Sequence, residues 1–597
     1  MRTRFGTILA KAKAAALAFA LAAPALFALP TDDIYVCYKP DSGKSIYPWD
    51  DAAKWFDSTG SSTAINRVPT TNDYVFLYSS KNHVLGSGKP MVVTNGVHAA
   101  TGDLEICDKT YGNTYVIGIT VQDGGTMTNE GNVRVGNSGN GKTGGGRLTV
   151  ESGGEWTVNG QFRLGGSSGT SWLNVNPGGI FSATNGKEFL VGYQYGSGII
   201  TNAGSMSVFD IFPGVYGTGV LVNKGNLTIE RKLTIGRYSG STGHVILESG
   251  STLTKQSGWS YPVYVGFGDN TKATLECYAD WALGSNDRFL VAHGTNSTGR
   301  LVIGEGAIVA PMALLALGEV PGSRGVLELR GGTISVKGDP SGHTILMGVD
   351  GDTTTGSIVG WGTVQRGSSS NLRIRFFGQA IADGEGEARD LNMAAIRTVG
   401  TNNTEILNGC GTNGWFAVNK GRLIYPRAQN CSGSSHPTIG DYPNRATPTV
   451  MNSFRYTLVT KPSVTYYNFA ELYAPDRTDI PAGLPLYSSR DVVAGVWRFG
   501  LSSESNTDDD PTPTSFGGMR LTFRYDWRGV DAENQSLYVY RHDGSAGGSW
   551  TRVGKAEISS TANTITTDSF DASSETWNAG WFAVVAQRPS GMTIIFR

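Results

Sequence analysis

The sequence predicts an all-β protein, a right-handed parallel β-helix (β-solenoid) followed by a C-terminal β-sandwich-like region. Three observations predict it. A two-strand unit recurs roughly ten times between residues 118 and 365, at a period of about 25–30 residues, and self-similarity at such a period marks stacked repeats. Each copy alternates apolar and polar residues with period 2, as a half-buried strand does. Glycine supplies 82 of the 597 residues, well above the usual share of about 7%, and without the Gly-X-Y period of collagen.

Residues 1–28 read as an export signal. Arg2, Arg4, Lys11 and Lys13 make a basic start, and Ala14 to Ala28 is an apolar run of signal-peptide length. Ala23-Pro24-Ala25 fits a small-residue cleavage site, and Ala28 is a second candidate. An uncleaved membrane anchor is the alternative, but the run is shorter than the roughly 20 residues a span needs. No later segment is apolar enough to cross a membrane as a helix, so no membrane-spanning segment is expected in the mature chain.

Residues 29–117 read as an N-terminal cap and first coils, and 118–366 as the solenoid repeats. One recurring strand is GRLTVESGG, SWLNVNPGG, GHVILESGS, ATLECYADW, GRLVIGEGA and GVLELRGGT, beginning at Gly146, Ser171, Gly243, Ala273, Gly299 and Gly325. Looser copies are GITVQDGG at Gly118 and the Asn-x-Gly forms TNEG, TNAG and VNKG. Between them lies a second recurring strand: VRVG, FRLGG, FLVGY, LTIGR, VYVGF, FLVAH and LLALG. Alternation sends Leu148 and Val150 one way and Thr149 the other. The glycines belong at corners, because glycine reaches positive φ without a steric penalty. Asp280 takes the corner place in ATLECYADW, where an aspartate in the left-handed region is tolerated better than most residues. Cys277 falls where Val150 sits in its own copy, so an inward-facing, inert thiol is expected there. A multi-sheet sandwich is the competing fold, but sandwiches rarely repeat their sequence so regularly.

After about Gly367 the repeat stops. Residues 367–450 read as an irregular β-rich connection and 451–597 as the sandwich-like domain. Pro/Ser/Gly-rich stretches near 425–450 and 501–517 look like linkers or long loops. Residues 518–588 read as strand, turn, strand, then an Asp-Gly turn at 543–544 and a further strand. GWFAV occurs at Gly414 and again at Gly580.

The repeat units, together with WDDAAKWFDSTGSSTAINRVPTTNDYVFL (Trp49 to Leu77), resemble the strand repeats of bacterial exported β-solenoid proteins, including autotransporter passenger domains and related surface exoproteins. The opening matches at Trp49, Trp55, Pro69 and Asp73, two tryptophans before a Pro-x-x-x-Asp step into the first coil. The resemblance covers roughly residues 45–365. It implies an extracellular or cell-surface location on a bacterium and speaks to architecture far more than to activity. No run of alternating ten-residue amphipathic strands of the kind a membrane barrel needs follows, so self-secretion is not implied.

Charge excludes some partners. Charged residues are 17% of the chain and the formal net charge is −1, so nucleic acid and acidic membrane surfaces are not expected. The 13 Trp and 24 Tyr argue against a disordered glycine-rich linker. The five cysteines are Cys37, Cys107, Cys277, Cys410 and Cys431. In an oxidising compartment Cys410 and Cys431 are placed to close a short loop, and Cys37 and Cys107 to staple the N-terminal region.

Chemistry-bearing motifs are sparse. GNSGNGKT, Gly136 to Thr143, has the phosphate-loop spacing with Lys142, but strand and turn follow where a helix is required, so no nucleotide is expected. GGSSG at 165–169 has the G-x-S-x-G spacing, again without the helix a nucleophile elbow needs. Asn506 to Asp510 (NTDDD) echoes a polygalacturonase signature but sits in a linker, and no Gly-His-Gly element accompanies it. The acidic turns at 350–352 and 383–387 read as solvated. The seven scattered histidines form no HExxH, so neither metal nor cofactor is expected. By parity with Leu173 and Val175, Trp172 faces outward, as does Tyr264. Exposed rings stack on sugar faces or partner proteins, which makes these two the candidate ligand-binding residues.

The sequence therefore points to a non-catalytic secreted or cell-surface structural or adhesive protein, with an extracellular polysaccharide or surface protein as partner. A β-helix polysaccharide lyase or glycoside hydrolase is the alternative, and a scaffold that assembles through its ends is a third class. Expression of the full chain in a secreting bacterium should release a protein whose first residue lies just past Ala25 or Ala28. An N-terminal peptide still carrying Met1 in the released protein would overturn the export reading.

Overall fold

The computed structural model describes residues 34–39, 46–57, 63–78, 90–107, 116–136, 145–166, 169–256, 261–283 and 286–336. Further along it describes strands at 345–347, 355–366, 372–376, 391–399, 404–408, 418–420, 422–424, 438–439, 454–458 and 467–473, then 480–502, 519–525, 530–531, 533–553, 556–559, 564–568 and 580–588. The stretch 1–28 expected to direct export, Lys142, Asn506 to Asp510, the acidic stretches 350–352 and 383–387, and both Cys410 and Cys431 lie outside the described residues.

Period-2 alternation and corner glycines fold into triangular coils. In one coil Gly145–Val150 forms a first face, Glu155–Val158 a second and Phe162–Leu164 a third. The chain then turns back to the first face at Thr170–Val175. Each strand pairs in parallel with its counterpart one coil away, giving a right-handed parallel β-solenoid. Coils are stacked at the strand spacing of about 4.8 Å. Between Val116 and Arg366 the step from one coil to the next varies from 21 residues (Ser197 to Thr218) to 31 (Arg324 to Thr355), because the corners and not the strands absorb insertions.

Register places like residues in columns. On the first face Leu148, Leu173, Ile200, Leu221, Val245 and Leu275 align, all 0% exposed. On the third face Phe162 and Phe189 stack at 4.2 Å and 14°. Burying each such side chain contributes about 1.5–3 kcal/mol. Cys277 continues the Val150 column through Val175, Asn202, Asn223 and Leu247 and is fully buried, as its repeat position predicts. The Asn-x-Gly copies occupy two places. Asn202 and Asn223 end first-face strands and bond to each other at 2.7 Å. Asn129 ends a second-face strand and accepts from Trp156 Nε1 at 2.6 Å.

Corner chemistry is partly as expected. Gly153 has φ 73°, and a Cβ there would come within 1.9 Å of Asp123 Oδ1 from the preceding coil. Asp280 does not take a left-handed conformation. Its carboxylate instead accepts the Ile308 amide of the next coil at 2.8 Å, so it supports its corner by capping a neighbour. In the coils from Gly136 to Gly318 the third-corner glycine is replaced once, by Ala292 at φ 60°, a region that costs a residue with a Cβ roughly 1–2 kcal/mol.

The N-terminal end is capped. Trp55–Asp57 runs antiparallel to Ile34–Tyr38 and covers its edge. Trp49 and Trp55 meet at 4.9 Å, Trp55 Nε1 donates to Trp49 O at 2.9 Å, and Tyr38 closes on Trp55 at 5.1 Å. Asp73 opens the next third-face strand and is held in a two-pronged pair by Arg67 at 2.6 and 2.7 Å. The Cys37–Cys107 staple does not form. Cys37 is a free buried thiol, and the strand Asp73–Tyr78 runs between the two, pairing Cys37 with Phe76 and Cys107 with Tyr78. Two strand spacings, about 9.6 Å, exceed the Cα separation of roughly 7 Å that a disulfide spans.

Parallel stacking continues past Gly367, where the repeat fades, through Leu372–Phe376, Leu391–Val399 and Thr404–Asn408. Backbone pairing needs the register and not the glycine signature. Arg422–Ile424 then meets Tyr467–Tyr473 antiparallel, which leads into the sandwich. One sheet joins Tyr467–Tyr473, Val492–Ser502, Gly580–Gln587 and Ser536–His542; the other joins Phe454–Leu458, Met519–Arg524 and Thr564–Thr567. Trp497, Phe523 and Phe582 pack together between them, with ring centroids at 4.7 and 5.8 Å. Gly544, in the Asp-Gly turn, has φ 86°.

One buried charge pair interrupts the apolar interior. Lys255 takes the place that Ala183, Val208 and Ile229 hold in earlier coils. Its ammonium meets Asp287 at 2.5 Å, with both side chains almost wholly buried. Removing one partner strands the other. Lys255→Met should therefore lower stability by about 3–5 kcal/mol, and Lys255→Met combined with Asp287→Leu should recover most of it. Denaturant midpoints followed by circular dichroism check this; a double variant no better than the single one would contradict it. By the same assay Ala292→Gly should gain about 1 kcal/mol.

Candidate functional site

The coil exterior is set by the same alternation as the core. Trp172 points outward between inward-facing Leu173 and Ser171, and the Arg147 guanidinium of the preceding coil lies 5.1 Å over its ring. Tyr264 points outward between Val263 and Val265, half-buried, with Phe267 at 4.7 Å and His293 at 5.2 Å. Burial first, and then the nearby Glu319 carboxylate, push its phenol above the usual range. Trp172 lies on the first face and Tyr264 on the third, so the two do not share a platform.

The third face gathers more than Tyr264. Its outward positions Leu190 and Phe212 are buried, because the corner that follows folds back over them, and Val215, Tyr193 and Tyr238 complete a small apolar cluster outside the sheet. From there aromatic rings run along the edge. Tyr216 and Tyr238 stack at 4.4 Å and 6°, Tyr193 meets Tyr216 at 6.0 Å, and Tyr195 lies 6.4 Å from it. Phe267 stacks on His293 at 5.4 Å. Tyr195, Tyr216 and Phe267 are exposed. Parity reasoning missed this row because it sits in the corner, outside the alternating strands. The signal was nonetheless present in VGYQYG, PGVYG, IGRYSG and VGFG, where an aromatic follows the corner glycine in successive copies.

Charged groups interleave with these rings. Tyr74 donates to Glu105 at 2.9 Å, and Arg134 donates to Tyr74 Oη at 2.7 Å and lies 3.7 Å from Glu105. Arg163 lies 4.7 Å over the Tyr193 ring, and burial pulls its guanidinium below the usual range. Arg237 bonds Glu188 at 2.8 Å while covering Phe212 at 4.1 Å. Arg231 grips buried Asp210 and covers Phe209 at 4.4 Å. Cation–π contacts of this kind contribute about 0.5–2 kcal/mol each. The first face has its own network, in which His244 and Tyr278 engage Glu276 at 2.9 and 2.7 Å and Arg330 engages Glu328 at 2.6 Å.

The described glycines of the two spacing motifs sit at solenoid corners. Gly136, at φ 80°, follows the third-face strand Val133–Val135, and the next described element is the strand Gly145–Val150. Gly165, at φ 89°, likewise leads into Thr170–Val175. Among the described residues no group of three or more His, Cys, Asp and Glu converges on a metal position, and no helix is long and apolar enough to cross a membrane.

Fold and faces together define a right-handed parallel β-solenoid protein with a sandwich-like C-terminal region. No protein-family model, curated protein or solved structure matches the chain.

Burial pushes the Cys37 thiol up to about 11, with Asp57 adding to it, and raises fully buried Cys277 further. The thiolate is the reactive form. Alkylation of the native protein at pH 8 should therefore leave both unmodified, and denaturant should expose both, as read by peptide mass spectrometry. Native labelling of Cys277 would contradict its inward placement. The same map without reductant tests the Cys410–Cys431 bridge.

Proposed function

We propose that this chain is a non-catalytic structural or adhesive protein, exported and displayed outside a bacterial cell, whose rigid shaft presents a glycan-binding surface. The observation that carries this reading is the aromatic row of the third corner. Tyr193, Tyr216, Tyr238 and Phe267 recur coil after coil along the rod axis, fixed by backbone register. Aromatic rings on a rigid frame offer large contact area to the apolar faces of sugars at little entropic cost. Trp172 would form a separate contact on the first face, and Tyr264 belongs with the row.

A carbohydrate-active β-helix enzyme is the second reading. The observation in its favour is the carboxylate–guanidinium group Asp103, Glu105 and Arg134 on the same outer face, with Arg134 3.9 Å from Asp103 and 3.7 Å from Glu105.

One experiment separates the two. The purified full chain is incubated with a panel of polysaccharides, and retention on the glycan is measured beside release of new reducing or unsaturated ends. Retention without product is expected, with Tyr216→Ala plus Tyr238→Ala weakening it about ten-fold and Trp172→Ala testing the first face. Product release that survives repurification would replace the adhesive reading with the enzymatic one.

A further inference from the structure

On the third face Lys232 is a cation without a counter-charge among the described residues. Lys232 opens the outward side of the strand segment that ends at Ile235, between two guanidinium groups on the same coil. Arg231 is committed to Asp210, with Nε at 2.8 Å from Oδ1, and Arg237 to Glu188 at 2.8 Å. The Lys232 backbone amide also donates to Asp210, at 3.1 Å. Its ammonium, however, has no carboxylate within ion-pair distance among the described residues. What it meets is the Tyr261 ring, 4.5 Å away, which Arg231 also approaches at 5.5 Å. Burial first, then Arg231 and Arg237, pull this ammonium below the usual lysine range, against the partial support of Asp210 and Glu188. The local balance is three cations against two carboxylates, on a half-buried surface where an uncompensated charge is costly.

Rings flank this surplus charge on both sides. Tyr261 lies against Lys232, and the stacked Tyr238–Tyr216 pair lies beyond Arg237, which covers Tyr238 at 5.1 Å. Further along the same face, Arg163 and Arg134 occupy adjacent outward positions in earlier coils. Cations and rings thus lie side by side on the third face.

We propose that the cluster of Arg231, Lys232 and Arg237 receives the anionic group of an acidic glycan lying along the third face, with its sugar rings against Tyr261 and the Tyr216–Tyr238 stack. This rests on the glycan-binding reading and narrows it to a substrate class. The anion sits on Lys232, where it supplies the missing counter-charge and a charge-assisted hydrogen bond. The flanking tyrosines supply contact that a bare anion cannot use. A carboxylate and a sulfate ester present the same chemistry to this cluster.

The test uses the full chain, its Lys232→Met and Lys232→Arg variants, and a Tyr216→Ala/Tyr238→Ala variant. Binding at fixed ionic strength is measured to polygalacturonate, to dextran sulfate, to uncharged dextran and to inorganic polyphosphate, with circular dichroism to confirm the fold of each variant. Acidic glycan is expected to bind at least ten-fold more tightly than dextran, and the preference should shrink in high salt. Lys232→Met should abolish that preference and Lys232→Arg restore it, while the tyrosine variant weakens binding of every glycan. The stronger of the polygalacturonate and dextran sulfate arms identifies the anion. Dextran bound as well as the acidic glycans, with Lys232→Met silent, would overturn this inference and leave the adhesive reading standing. Polyphosphate bound as tightly as glycan, with the tyrosine variant silent, would overturn it in favour of unspecific polyanion attraction. Retention of no glycan at all would remove both.

Discussion

Parallel, in-register pairing between successive coils is the constraint on which the rest of the structure depends. Once Leu148 is opposite Leu173 and Leu173 opposite Ile200, every other position along the strand is fixed to within one residue. A slip of one would turn each inward column outward. Register therefore fills the core and also determines which side chains become neighbours outside. The stacked Tyr216 and Tyr238 belong to consecutive coils, as do Arg147 and Trp172 and the glutamate and arginine of the Arg300–Glu328 pair. An exterior built this way is a lattice with one spacing along the axis and freely chosen chemistry at each node.

The corners carry the variation that the strands cannot. Steps of 21 to 31 residues per coil between Val116 and Arg366 leave the strand ladders unbroken, so added residues are expelled to the three edges. At the third edge the short corners that follow Val191 and Pro213 fold back and bury Leu190 and Phe212 from outside. This explains why the richest surface lies there. A corner segment anchored on an apolar patch holds its tyrosines and arginines in place, whereas the same residues on a free loop would have to be ordered on binding.

Most of the architecture was legible in the sequence because alternation and repeat period are direct images of strand geometry. The inward pairs Leu148/Val150 and Leu173/Val175, the thiol of Cys277 and the left-handed Gly153 all follow from one aligned repeat. What was not legible depended on contacts between coils. Asp280 looked like a glycine substitute, but its role is set by an amide 28 residues away. The Cys37–Cys107 pairing looked reasonable from spacing until an intervening strand separated them. The aromatic row was spelled out in the corner motifs but lies outside the period-2 alternation that marks the strands. Its association with Lys232, Arg231 and Arg237 arises because the turn reverses the chain onto its own sheet. The coils beyond Gly367 kept the pairing after the sequence had lost the repeat, since hydrogen-bonded backbone leaves no imprint on side-chain composition.

The apolar patch on the outside of the third face also bears on how the rod comes to be built. In a stack of similar units any neighbouring pair of coils can in principle start the assembly. The strands at 188–191 and 210–213 have their sheet covered on both sides, by the core within and by Val215, Tyr193 and Tyr238 without. Local opening there exposes two apolar surfaces at once. The segment should therefore resist fraying, and its amides should be among the last to exchange with solvent. Growth outward from a doubly covered middle toward each end would let the chain zip its coils in order, each new one finding a finished edge to pair with.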